Sequence, residues 1–180
     1  MMWKINKTSE MKIVLHLILI LFNLPCKAQS DENIIKAAYI ERITRFVEWP
    51  DSQSSKDTGT FIIGVYRDNE LYSILKIALR DKNIKNRKVT VIELANYENI
   101  VSCNLCYMSV ISNNEIDKLM SVANKSGVLI LSFGKDYGIK GIHINFYVEE
   151  KKLKFEINRQ SVSAGNFKIS SLLMNNSKII

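Results

Sequence analysis

Apolar residues recur at a helical period, then in short runs, then at every second position along this chain. Ile35, Tyr39, Ile43, Phe46 and Val47 make one stripe, with Asn33, Glu41, Thr44, Arg45 and Glu48 opposite. That spacing predicts an amphipathic helix, capped by Ser30 or Asp31 and stopped by Pro50. The polar stretch 51–60, rich in Ser, Asp and Thr, reads as a loop. Residues 61–66 form a short apolar run with β-branched members, the signature of a buried strand. Leu71, Ile74, Leu75, Ala78 and Leu79 then return to helical spacing. Residues 88–94, 105–111 and 128–131 read as further strands. Between the last two, Ser112-Asn113-Asn114-Glu115 has capping-box spacing and opens a helix carrying Ile116, Leu119, Met120 and Ala123, closed by Gly127. Buried strands alternating with short helices predict an α/β fold, a mostly parallel doubly wound sheet flanked by helices.

After residue 141 the period changes to two. Ile142, Ile144, Phe146 and Val148 alternate with His143, Asn145 and Tyr147. Beyond a polar turn at 149–152, Leu153, Phe155 and Ile157 alternate with Lys154, Glu156 and Asn158. Strict alternation on both sides of a turn predicts a C-terminal antiparallel hairpin with one covered face. A last helix is expected around Leu172, Leu173 and Met174.

The N-terminus reads as an export signal. Lys4, Lys7 and Lys12 precede an apolar run over 13–24, too short for a comfortable span, which needs about 20 residues. Pro25 follows, and Cys26 and Ala28 are small residues at the spacing of a cleavage site between Ala28 and Gln29. Met11 is an alternative start. Two rival readings remain: Cys26 as a lipidated residue, which Leu24 and Pro25 disfavour, and an uncleaved anchor, which the short run disfavours. Cleavage leaves residues 29–180, the length of one domain, exported to the periplasm. Residues 1–28 carry four lysines and one glutamate, so the formal charge of +7 falls to +4 without them. The remaining charges are interleaved, which excludes the basic stripe that nucleic-acid binding needs.

Candidate chemistry is sparse. Cys103 and Cys106 have C-x-x-C spacing, a pattern of metal half-sites and redox motifs. A zinc site needs more ligands, and His143 is the one histidine beyond the signal. If both cysteines lie in a strand, their Cα atoms stand about 10 Å apart, beyond disulfide reach. Two buried thiols, or a turn-borne disulfide, are the readings left. The alternation gathers His143, Asn145, Tyr147, Lys154, Glu156 and Asn158 on one hairpin face, a candidate surface for a polar ligand or partner or a covered sheet face. Residues 132–138 carry two glycines after a strand but lack the phosphate-loop order of glycines and lysine. Trp49 is either an exposed recognition aromatic or a plug at a helix end. No nucleophile elbow is legible, so no enzyme activity, catalytic residue, metal or cofactor is expected.

These residues also resemble a known family. Lys36-Ala37-Ala38-Tyr39-Ile40 through Arg45-Phe46-Val47-Glu48-Trp49-Pro50 is similar to the K-A-A-[FY]-[IL]…[KR]-F-[VT]-[ED]-W-P opening of YfiR-like periplasmic proteins. Phe61-Ile62-Ile63-Gly64-Val65 resembles the strand that follows it. Gly141-Ile142-His143-Ile144-Asn145-Phe146 resembles the family's G-G-M-I-N-F, with Ile142 and His143 in place of Gly and Met. Lys152-Leu153-Lys154-Phe155-Glu156-Ile157-Asn158 and Ala164-Gly165 with Lys168-Ile169-Ser170-Ser171 complete the likeness, Phe167 standing where Leu is usual. Cys103 falls where the family often has a cysteine, while Cys106 occupies a position usually held by a plain apolar residue. The resemblance implies an α/β sheet protein of the periplasm. It further implies a non-enzymatic regulator, able to form a homodimer, that acts by protein–protein contact on an inner-membrane diguanylate cyclase or sensor kinase. The alternative is a periplasmic small-molecule-binding module using the polar hairpin face.

Overall fold

The most apolar stretches of the chain lie side by side at the centre of the molecule, and the sheet is built outward from them. The computed structural model describes residues 27–50 and 59–180, and Glu32–Ile180 form one compact unit. The segment through Cys26, expected to carry the export signal, and residues 51–58, expected as a loop, lie outside the described residues. In chain order the elements begin with helix α1 (Lys27–Phe46) and strands β1 (Val47–Glu48) and β2 (Thr60–Tyr66). Helix α2 (Asn69–Ala78), β3 (Asn83–Ile84), β4 (Arg87–Leu94) and a 3₁₀ turn (Tyr97–Ser102) follow. Then come β5 (Leu105–Met108), α3 (Asn113–Ser126), β6 (Leu129–Phe133), β7 (Ile144–Glu149) and β8 (Lys152–Ile157). The chain closes with α4 (Arg159–Ala164), β9 (Lys168–Ile169), α5 (Ser171–Asn175) and β10 (Lys178–Ile179).

Eight strands form one sheet in the order β10-β8-β7-β6-β5-β2-β4-β3. The run from β4 through β2, β5 and β6 to β7 is parallel, with Ile63 beside Leu105, Tyr107 beside Leu131 and Leu131 beside Ile144. The hairpin β7–β8 is antiparallel, as is β3–β4 at the other edge. The expected α/β class, mostly parallel sheet and C-terminal hairpin are all present. Alternate residues of the central strands divide two apolar layers. Phe61, Ile63, Val65, Leu105, Leu129, Leu131 and Phe146 pack with α1 and α2 on one face. Cys106, Met108 and Ile130 pack with α3 and the 3₁₀ turn on the other. Asp68 caps α2 by accepting from the Leu71 amide, and the Ser112–Glu115 capping box opens α3.

Helix α1 departs from the pattern reading in two ways. It already runs through Ser30 and Asp31, so neither is its cap. Its buried face is Asn33, Lys36, Ala37, Ile40, Ile43 and Thr44, whereas Ile35 is exposed. The helix is therefore rotated from the apolar stripe, because buried polar groups on the true face find partners. Asn33 donates to Glu70 (2.9 Å), and Lys36 pairs with Glu32 (2.6 Å) while its ammonium stands 3.9 Å above the Phe133 ring. The helix ends at Phe46, four residues before Pro50, where the chain turns extended and β1 pairs with β9.

Two tight turns join strands in mirror-image geometry. Glu150 and Lys151 link β7 to β8 with φ of 50° and 61°, and Lys85 and Asn86 link β3 to β4 with φ of 50° and 62°. Two-residue hairpins favour this twist, but Glu and Lys carry a Cβ cost there that Asn-Gly does not. Replacing Glu150-Lys151 by Asn-Gly is expected to raise the unfolding free energy by about 1 kcal/mol, read as a higher urea midpoint at unchanged slope.

Candidate functional site

The hairpin places the six polar residues as the alternation requires. Asn145 lies directly opposite Glu156, and Tyr147 opposite Lys154. Burial then splits the set. His143, Asn145 and Glu156 are buried, whereas Tyr147, Lys154 and Asn158 are half-exposed.

The inner half is a closed hydrogen-bond network. The Asn145 amide donates to the Gly134 carbonyl (2.8 Å) and to Glu156 Oε1 (2.9 Å), and its Oδ1 accepts from Ser132 Oγ (2.8 Å). Glu156 Oε2 stands 3.6 Å from the Lys178 ammonium on β10. Gly138 packs so closely that a Cβ there would meet Glu156 Oε1 at 2.5 Å. Asn158 donates to the Gly138 carbonyl (2.9 Å) and caps α4 through Ser161. The glycine-bearing stretch 132–138 thus serves this network through the Ser132 hydroxyl and the Gly134 and Gly138 carbonyls.

His143 is equally committed. Its Nδ1 accepts from the Ile130 amide (3.0 Å), so the ring proton sits on Nε2 and is donated to Asn124 Oδ1 (2.9 Å). Burial pushes its pKa down to about 3, so the ring is neutral at physiological pH. Both ring nitrogens are spent, which leaves no base for proton transfer. The inner half of the expected ligand face is therefore an internal fastening between β6, β7, β8 and α3.

The outer half does reach the surface. Tyr147 and Lys154, with Tyr39, Phe155, Asn176 and Lys178, line a shallow depression of about 380 Å³. A smaller cavity of about 130 Å³ adjoins it, sharing Tyr39, Phe155 and Asn176 and adding Arg42, Phe46 and Leu172. Together they form a groove between α1 and the α5–β10 segment. Lys154 also pairs with Glu149 across the hairpin. Pattern reading missed this groove, because Arg42 and Asn176 come from elements with no chemical signature.

A polar cluster at the carboxyl ends of β2, β5 and β6 was also missed. Asn33, Lys36, Glu32 and Glu70 bridge α1 to α2 there. The buried Tyr107 hydroxyl, near Asp68 and Glu32, lacks a hydrogen-bond partner among the described residues, and burial raises its pKa. Trp49 plugs the end of α1: it is edge-on to Phe61 at 5.1 Å, and its indole N–H donates to the Asn104 carbonyl (2.8 Å).

Cys103 and Cys106 are both buried and free. Only Cys106 lies in β5, and Cys103 ends the 3₁₀ turn. The straight-strand spacing therefore does not apply. Both sulfurs point to the α3 side and converge over Gly64, where a Cβ would stand 2.9 Å from one and 3.0 Å from the other. Among the described residues no three potential metal ligands gather, and no helix is long and apolar enough to cross a membrane.

The profile of the YfiR/HmsC-like family matches residues 33–178, from the buried face of α1 to the lysine of β10. The chain belongs to the YfiR/HmsC-like family. Among curated proteins none matches it. Of solved structures, a conserved domain protein from Vibrio cholerae O1 biovar El Tor is 12% identical, over 73% of this chain and 60% of that one, with a TM-score of 0.48. The ABC domain in complex with L-Trp from Streptococcus pneumonia is 10% identical over 67% of this chain and 55% of that one, with a TM-score of 0.46. The chain thus spans somewhat over half the length of these two structures. Within the YfiR/HmsC-like assignment, the motifs quoted above fall mainly on packing positions: Phe155 and Ile157 are buried, and Asn145 and Glu156 are hydrogen-bonded to each other.

Two outcomes follow for this network. Replacing Asn145 with Ala leaves Ser132 Oγ, the Gly134 carbonyl and Glu156 short of a partner, and should cost about 3 kcal/mol in urea unfolding. His143 is neutral in the fold and titrates near 6.5 when unfolded, so its contribution is present above pH 6.5 and lost as pH falls toward about 3. The loss is about 1.4 kcal/mol per pH unit. Between pH 7.5 and 5 the protein should lose about 2 kcal/mol through this group. His143→Met should be less stable at pH 7.5 and should lack that slope, as read from paired urea titrations.

Proposed function

We propose that this protein is a non-enzymatic periplasmic regulator that acts by direct contact on an inner-membrane signalling protein, a diguanylate cyclase or a sensor kinase. The observation that carries this reading is the match of the family profile to residues 33–178. The site chemistry agrees with it. The buried His143 is neutral with both ring nitrogens bonded, and the buried Glu156 is held by Asn145. The half-exposed part of the hairpin's polar face, Tyr147 and Lys154, is the surface proposed to meet the partner, and a periplasmic location through export and cleavage after Ala28 is part of the same proposal.

A second reading, a small-molecule-binding module, draws on the groove between α1 and α5, whose Tyr39 and Phe155 rings stand 5.6 Å apart above a polar rim. Thermal-shift measurement with a metabolite panel separates the two, since a ligand that binds only the native state raises the melting temperature.

The direct test is cellular cyclic di-GMP and kinase output with the gene deleted, restored, and restored as Lys154→Glu. Deletion should change one of these outputs severalfold, the native chain should restore it, and Lys154→Glu should fail to restore it while melting normally. Unchanged outputs on deletion would rule the regulatory reading out. Full rescue by Lys154→Glu would move the contact off the hairpin.

A further inference from the structure

We infer that Cys103 and Cys106 form a reversible intrachain disulfide site, with Cys103 as the entry thiol and Cys106 as the resolving thiol. The inference stands apart from the regulatory reading, because it depends only on how the chain turns into β5.

The geometry has three parts. The first is direction. Residues three apart on a straight strand point to opposite faces, but the chain bends at Asn104, whose amide donates to the Ile62 carbonyl (2.9 Å). Cys103 therefore stands outside β5 and both side chains enter the same apolar layer with α3. The second is room. Gly64 lies beside Cys106 in the sheet, and its bare Cα leaves the space the two sulfurs share. Any side chain at 64 would press on both sulfurs and on Leu94. The third is asymmetry. Cys103 is itself buried, at 1% exposure, but it directly follows the exposed residues Val101 and Ser102, so a local opening of the 3₁₀ turn is enough to reach it, and its sulfur lies 3.9 Å from the Ser102 hydroxyl. Cys106 is wholly enclosed.

The electrostatics run the same way. A hydrogen bond from the Cys106 thiol holds the Cys103 pKa below the ordinary thiol value, while burial pushes Cys106 up. Cys103 therefore supplies the thiolate. The oxidant is a disulfide, small or protein-borne, of the kind an oxidising compartment provides. Cys103 Sγ attacks one sulfur of that disulfide, which releases one thiol and leaves a mixed disulfide on Cys103. Cys106 then gives up its proton and attacks Cys103 Sγ, releasing the second thiol. Two cysteine thiols are oxidised and one disulfide is reduced to two thiols. The product ties the end of the 3₁₀ turn to the central strand pair β2–β5.

The test uses the full chain carrying Cys26→Ser, so that these are its two remaining cysteines. The folded, reduced protein is incubated with oxidised glutathione, quenched with an alkylating reagent in denaturant, and weighed by mass spectrometry. Free thiols should fall from two to none per chain without dimer formation, and dithiothreitol should restore both. The Cys106→Ala variant should accumulate one glutathione adduct at Cys103. Cys103→Ala should stay reduced over the same interval. The inference is overturned if the folded chain keeps two alkylatable thiols, if it yields only chain-to-chain disulfides, or if Cys103→Ala is glutathionylated as fast as Cys106→Ala. Circular dichroism of each variant shows that the fold is intact in the comparison.

Discussion

The need of the buried polar groups around Asn145 for partners decides how the C-terminal hairpin fits against its neighbours. Asn145 sits near the start of β7, between a parallel neighbour and an antiparallel one. Its amide satisfies Gly134 and Glu156 while its carbonyl takes the Ser132 hydroxyl. A one-residue slip of β7 would carry Asn145 and His143 into the opposite, apolar layer and strand all of these groups. Register, the path of the 134–138 turn and the seating of α3 through Asn124 are thus set together. The tight approach of Gly138 to Glu156 belongs to the same constraint.

The hairpin and its two faces were legible in the sequence because alternation leaves little choice once one face is apolar. What alternation does not report is whether the polar face meets water. Here it meets the glycine turn and α3 at one end and solvent at the other, and His143 and Lys154 look alike in a pattern although their surroundings differ. Helix α1 went wrong for the converse reason. Its stripe of Ile35, Tyr39, Ile43, Phe46 and Val47 is a sound amphipathic signal, yet the face turned inward bears Asn33, Lys36 and Thr44, which are held by Glu70, by Glu32 and by the Glu41 carbonyl. Both cysteines are buried thiols, as one reading of the sequence had them, but their separation depends on one bend at Asn104, made by hydrogen bonds to β2 that no local spacing encodes. Strands β1, β9 and β10 have two residues each, too few to show any period.

The C-terminal segment acts as a strap. It leaves the hairpin through α4, pairs β9 with β1, hydrogen-bonds the Phe46 carbonyl at the end of α1 (2.9 Å), and returns as β10 against β8. The groove proposed for ligand or partner lies where this strap crosses α1. Its walls are therefore elements from the two ends of the described chain, and its width depends on how firmly the strap is seated.

The short outer strands of the sheet have a consequence for how the protein behaves in a crowded compartment. On one side β10 pairs only with Glu156 and Ile157, and on the other β3 pairs only with Lys88 and Arg87. Past these stubs the backbones of β8 and β4 still offer amides and carbonyls that another chain could adopt as a template. Lys152 and Lys154 stand along the open part of β8, so a second copy approaching that edge meets positive charge, whereas Arg87 and Lys88 lie under β3 and the open part of β4 carries Glu93. Like charge at the β8 edge disfavours pairing of two copies there, while a segment bearing acidic side chains would meet no such repulsion.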